Sequence, residues 1–445
     1  MGKCIKQPLS GGNWNNSSNA GAFARNLNNA SSNSNTNVGG ADSDLTYLKP
    51  FTGKVDHRDT LSSDKRNRAG LVNSSSLVVE GLNRQPKRPK RIGFLFEVAF
   101  TRENLLQAYK TARIDKRDKP GCIRFEMRLG AEIDALYQEL HSDRYQPKPM
   151  ITFSVFERNK ERKIYAPHFR DLVVQHAIYK VIYPIFNRGF IDQSFACRKG
   201  KGTHKAADYV QKAMRKHDGD RYYVKLDIRK FFYSIDRTVL RAQIERKIKD
   251  RRFVDVMMRF ASMDTPTGIP IGNLLSQTYA LIALSGLDHF AKRTLKARHY
   301  ARYMDDFIAI GLTLDDAVRF KRKAEAFVDG RLNLGLSHWT LAKIKRGINF
   351  VGYRTWRSVR FVRKHSVLNF KRAVKLGNIN SITSLLGHAK HTASLVFFAK
   401  YLRFKPIFNQ LPLRSKQLCH AIFNTHPRKT PSQPCDSLTR GFMTA

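Results

Sequence analysis

Two adjacent aspartates, Asp305 and Asp306, interrupt an otherwise apolar pair of strand-like runs in RYMDDFIAI, residues 302 to 310. Placing carboxylates among Tyr303, Met304, Phe307 and Ile308 is costly unless a cation compensates them. A hard divalent ion with oxygen ligands is the natural partner. A bare Asp-Asp pair also reads as a solvated acidic turn in a hairpin, so its company decides. Upstream, YYVKLDIRKFFYSID puts Asp227 at the end of a strand-like run rich in Val, Leu and Tyr, where its carboxylate can face the hairpin acids across a sheet. Three such oxygen donors match a two-metal site, in which ions about 3.5–4 Å apart activate an attacking hydroxyl and stabilise the leaving group of an in-line displacement. Nucleotidyl transfer is the chemistry of such a set. Asp236 stands nearby, but its SID context reads better as the cap of a following helix. Between the acids lies TGIPIGNLLSQ, where Gly268 and Gly272 permit close approach of backbone to a ligand, and Ser276 and Gln277 open an apolar helix.

Charge narrows the partners. With 80 Lys plus Arg against 36 Asp plus Glu, the chain carries a formal +44 distributed along its length. Such a field draws polyanions, nucleic acid foremost; a device for solubility is the plainer alternative. No stretch approaches the roughly 20 consecutive apolar residues of a spanning helix, which argues against a membrane partner. Five scattered cysteines without a CxxC pair suit a reducing compartment and argue against a zinc module. MGKCIKQPLSGG lacks a secretory core, so the expected location is the cytoplasm.

Residues 11 to 40 are dominated by Asn, Ser and Gly, with too few aliphatic side chains to offset chain entropy, and disorder is expected over 1–45. Residues 46–92 read as a polar linker ending in the basic run RQPKRPKR. From Gly93 onward, apolar spacing predicts helices over 102–113, 128–141 and 169–188, the last with helical period up to Pro184, and another over 273–289. ITFSVFERNKERKIYAP reads as a hairpin with a basic tip, RYYVKLDI as a strand and GINFVGYRTW as a second hairpin. Beyond them the pattern is basic and helical to about residue 425, followed by a tail over 426–445. Interleaved helices and strands without a repeat define an α+β class.

The succession LDIRKFFYSID, GIPIGNLLSQ, YMDD and GINFVGY resembles the A, B, C and E motifs of reverse transcriptases, over roughly residues 93 to 400. IGNLLSQ at 271–277, SHWTLAKIKRGINFVGY at 337–353 and ACRKGKGTH at 196–204 are similar to the reverse transcriptases of diversity-generating retroelements, where IG and SQ replace the commoner QG and SP. The resemblance implies a right-hand polymerase, with fingers and palm over 93–356 and a helical thumb over 357–425. It implies that Asp227 and Asp305 coordinate two Mg2+ ions, with Mn2+ as a substitute, that Asp306 completes the cluster in a weaker role, and that the Ile228 carbonyl adds a ligand. Phe232 falls at the steric gate that excludes ribonucleotides, while Phe231 reads equally as a packed aromatic. On or beside the hairpin, Arg158, Lys160, Arg162 and Lys163 are candidates to neutralise an incoming triphosphate, with Arg162 and Lys163 preferred because they adjoin IYAP; Arg198 is a further one. Each reads equally as a solvated charge. The implied partners are template RNA, the RNA/DNA hybrid, deoxynucleoside triphosphates and a small basic helical accessory protein.

Ile271 stands where most family members carry glutamine beside the nascent base pair. Isoleucine offers no hydrogen bond there, and losing one pocket contact lowers discrimination by about 1–3 kcal/mol; simple packing in an enzyme of ordinary fidelity is the alternative. The Asn-rich segment resembles the conceptual translation of a retroelement template repeat, because asparagine codons begin with two adenines and so suit diversification at adenine. A low-complexity linker is the alternative. Adenine-mutagenic synthesis of cDNA to diversify a target gene is therefore the expectation. The rivals are a retron, phage-defence or group II intron reverse transcriptase of ordinary fidelity, and an RNA-binding protein on a polymerase scaffold.

Overall fold

The structure is a computed structural model, and it describes residues 91–157 and 160–425. The expectations for 1–45, for most of 46–92, for Arg158 and for the tail lie outside those residues. Three antiparallel sheets organise the described residues. β1 (Ile151–Glu157) and β2 (Lys160–Ala166) form the expected hairpin, with Ile151 opposite Ala166 and Glu157 opposite Lys160. The central sheet has the order β4-β5-β3-β6, from β3 (Tyr222–Ile228), β4 (His299–Tyr303), β5 (Asp306–Leu312) and β6 (Leu336–Lys343). A third sheet joins β7 (Ile348–Phe350), β8 (Tyr353–Thr355) and β9 (Arg360–Val362).

The helix Leu274–His289 is apolar on nearly all sides, LLSQTYALIALSGLDH, and is accordingly buried through most of its length. It packs against the helices Phe169–Asn187, Arg237–Glu245 and Leu314–Leu332. The central sheet is covered by Thr203–Arg215, which packs on β4 and β5, and by Leu314–Leu332, which packs on β3, β5 and β6. Side-chain caps fix the starts of several helices: Thr101, Asp236, Asp250, Thr313 and Asn378 each accept from a backbone N–H of the first turn. Asp236 thus has the capping place read from the sequence, accepting from the amides of Thr238 and Val239.

Two boundaries are placed by the structure. The helix beginning at Phe169 passes through Pro184 and ends at Asn187. The proline removes one backbone donor close to the C-terminus, and the bonds from Arg188 N to Pro184 O and from Gly189 N to Phe186 O close the last turn around it. The division after residue 356 falls inside the third sheet, since β9 pairs with β8 in the register Tyr353 to Val362. The helical block begins at Lys364, and its core includes Phe370 stacked on Phe398 at 3.9 Å between centroids. β9 packs on the helices Ile379–Ala389 and Ser394–Leu402, and Arg360 reaches back to Asp208 at 2.8 Å and Gln211 at 3.0 Å. The third sheet therefore joins the central sheet's covering helix to the C-terminal helices.

Candidate active site

β3 and β5 run antiparallel so that Asp227 lies directly opposite Asp306. Asp305 occupies the tight turn from β4 into β5, where Tyr303 pairs with Asp306 and Met304 adopts a left-handed φ of 58°. The β3–β6 register shifts between Asp227 and Ile228, a bulge that leaves Asp227 at the mouth of the sheet with Ile228 buried behind it. Ser337 on β6 donates its hydroxyl to Asp227 Oδ2 at 3.1 Å.

Electrostatics distinguishes the three acids. Burial, and then the neighbouring charge of Asp227, pushes the Asp305 carboxyl up to about 7. Burial likewise raises Asp306, to about 6, against the opposing pull of Lys225. Asp227 is raised by burial, with Ser337, Lys225 and His338 holding it down. Lys225 Nζ lies 3.1 Å from Asp306 Oδ2, while Asp306 Oδ1 is buried and without a hydrogen-bond partner among the described residues. No three His, Cys, Asp or Glu side chains among those residues stand together as a finished ion cage. The donor set nonetheless fits a hard divalent cation: crowded buried carboxylates that resist ionisation, one of them with an orphaned oxygen, are stabilised by added positive charge.

The other sequence candidates divide into those the fold gathers and those it separates. Ile271 O accepts from Tyr165 N at 2.6 Å, and Ile269 N donates to Phe232 O at 2.7 Å, so segment 268–272 is laced between the β1–β2 hairpin and the short helix Phe231–Ser234. Phe231 is buried in the core, whereas Phe232 is only partly buried against it. Gly272 has φ 122°, and a Cβ there would lie 2.5 Å from Tyr165 O; at Gly268 it would lie 2.9 Å from Tyr233 O. The protein's own backbone already makes a close approach that needs these glycines. Gln277 is buried in the first turn of Leu274–His289.

On β2, Arg162 is half-buried and its charge lowers the Asp305 carboxyl, while Lys163 is exposed. Arg198 is turned inward: it donates to Asn187 Oδ1 at 2.9 Å and to the carbonyls of Ile191 and Ser194 at 2.6 and 2.9 Å. Its guanidinium ties a loop together, so this basic residue of the ACRKGKGTH motif is internally paired. Sequence reasoning passed over Lys225 and Ser337; Lys225 was findable as the residue two before Asp227, on the same face of the strand. A cleft of about 730 Å3 opens beside the hairpin, lined by Gln146, Lys148, Tyr165, Gln175, Arg259 and Asn273 among others.

Residues 146–354, which span the hairpin, the carboxylate sheet and the β7–β8 pair, match the family described as reverse transcriptase (RNA-dependent DNA polymerase). Residues 146–354 are thus similar to a reverse transcriptase domain, and group II intron-encoded proteins are among the relatives of this chain. It is 29% identical over 170 residues to the group II intron-encoded protein LtrA of Lactococcus lactis subsp. cremoris, covering 36% of this chain and 28% of that protein. With protein YkfC of Escherichia coli K12 it shares 24% identity over 275 residues, covering 52% of this chain and 72% of that one. Among solved structures, a Candida albicans telomerase in complex with a fragment of telomeric RNA aligns with TM-score 0.41 and 12% identity, covering 63% of this chain and 58% of the other. The chain thus spans little more than a quarter of LtrA. No helix among the described residues is long and apolar enough to cross a membrane.

Proposed function

We propose that this chain is an RNA-directed DNA polymerase whose reacting centre is Asp227, Asp305 and Asp306. The observation that carries the reading is the convergence of three carboxylates at one end of the central sheet, with two of them pushed up to about 7 and 6. Asp227 and Asp305 would hold divalent cations, two Mg2+ or Mn2+ in their place, together with the Ile228 carbonyl. Such ions supply activation of a primer 3′-hydroxyl and neutralisation of the leaving pyrophosphate. Asp306 has the supporting role, because Lys225 already takes one of its oxygens. Phe232 limits the space under the sugar, favouring deoxynucleotides, and Arg162 with Lys163 supplies positive charge for the triphosphate. In this reading residues 93 to about 215, with part of 237–262, act as fingers, the central sheet as palm and the helices from Lys364 as thumb. The cleft beside the hairpin takes template RNA.

The finer reading is mutagenic synthesis on a template-repeat RNA, assisted by a small basic helical protein. Its support is the IGNLLSQ variant, with Ile271 held beside the hairpin and outside the main hydrophobic cluster, together with the Asn-rich N-terminal sequence. Similarity to group II intron-encoded proteins favours the rival, a reverse transcriptase of ordinary fidelity. Sequencing cDNA made on an RNA of known base content separates them. Errors concentrated at template adenines, reduced by Ile271→Gln on the order of tenfold, are expected. Errors spread evenly over the four bases would leave only the coarser polymerase reading.

A further inference from the structure

Arg302 is fully buried, and so is its partner Asp288, on the last turn of Leu274–His289. Its Nε and Nη2 donate to Asp288 Oδ1 and Oδ2, both at 2.7 Å, and Tyr300 adds its phenol to Oδ1 at 2.8 Å. Nη2 also reaches Ser194 Oγ at 3.2 Å. The remaining terminal nitrogen, Nη1, donates to the carbonyl of Met304 at 2.8 Å. The main chain of Arg302 is fastened as well, its N–H donating to Gln193 O and its carbonyl accepting from Phe195 N, each at 2.9 Å.

A buried ion pair is a poor source of stability, because removing two charges from water offsets most of their attraction. This one does something an apolar pair could not: it aims a donor at the backbone of the turn that presents Asp305. Met304 holds a left-handed φ of 58°, which a residue with a side chain keeps only where its surroundings impose it. The two-residue hairpin turn between Tyr303 and Asp306 requires that conformation; Arg302 holds its carbonyl in place, and Asp288 fixes the plane of the guanidinium. We infer that Arg302 and Asp288 are positioning residues, locking the Met304–Asp305 turn to the same helix whose first turn carries Gln277. The inference rests on the polymerase reading only for its consequence in catalysis; the grip on the turn stands apart from it.

Arg302→Lys separates the two roles, since an ammonium keeps the charge opposite Asp288 but cannot also span to the Met304 carbonyl. Three measurements on the full chain test it: amide exchange of the turn without metal, Mn2+ affinity by calorimetry, and primer-extension kinetics. For the folded variant, turn exchange should rise about tenfold with the C-terminal helices unchanged. Mn2+ should bind several-fold more weakly, and kcat should fall between about 10- and 100-fold with KM for nucleotide within about twofold. If Arg302→Lys does not fold, Tyr300→Phe removes only the phenol donor and should give the same pattern at about threefold. Unchanged exchange in a folded variant would overturn the inference, as would a loosened turn with wild-type kcat. A wild-type chain that makes no DNA would instead defeat the polymerase reading, leaving the exchange result to decide the grip.

Discussion

Lys225 and Asp306, 3.1 Å apart beneath the carboxylate turn, give the three acids unequal shares in the proposed chemistry. Asp227→Asn or Asp305→Asn should lower DNA synthesis by at least about 10^3-fold, and Asp306→Asn by about an order of magnitude less, measured as single-turnover primer extension. Protonation makes a second prediction. Asp305 and Asp306 are raised to about 7 and about 6, above an ordinary carboxylate near 3.8. Below the ordinary value both carboxyls are protonated, folded or unfolded, and exact no penalty. As pH rises toward the folded values, the unfolded chain releases protons that the folded one retains, so metal-free stability is lost from about pH 4 to about pH 7. Denaturation in chelator should show that decline, and saturating Mg2+ should flatten it. The aspartates themselves were legible, because acids rarely interrupt apolar strands without cause. The role of Lys225 was not, because its meaning depends on which oxygen it meets.

At the scale of elements, the meeting of the β1–β2 hairpin with segment 268–272 decides whether Ile271 sits where the account needs it. Tyr165 O would lie 2.5 Å from a Cβ at Gly272, whose φ is 122°. Gly272→Ala should therefore cost about 1–3 kcal/mol in denaturant unfolding, and weaken nucleotide binding as the hairpin shifts. The four helices and the two hairpins read from spacing all stand in the structure, since period-2 and period-3.6 patterns are local. β6 escaped notice because an edge strand with exposed Ser337, His338 and Trp339 has no clean alternation. β9 escaped because its three residues lie beyond the hairpin read over GINFVGYRTW. The function of the glycines was half legible: close approach was readable, but that the approaching chain is Tyr165 required the fold.

Across the whole molecule, a formal +44 sets how the chain meets its substrates. Neutralising 6–10 phosphates should make RNA affinity fall about 10^3-fold or more between 50 and 200 mM salt, as a titration by fluorescence anisotropy would show. Asp305→Asn should keep that slope, because the acid is not among the phosphate contacts. Charge and composition alone could have announced an RNA-binding protein; three acids brought to one sheet end are what make the chain an enzyme in this account. Its most direct test is extension of a DNA primer on an RNA template by the wild-type chain and by Asp305→Asn, each shown to be folded and to bind the template equally. Template-length cDNA from the wild type and none from the variant is the predicted result. Undiminished synthesis by Asp305→Asn would contradict the assignment of the carboxylates.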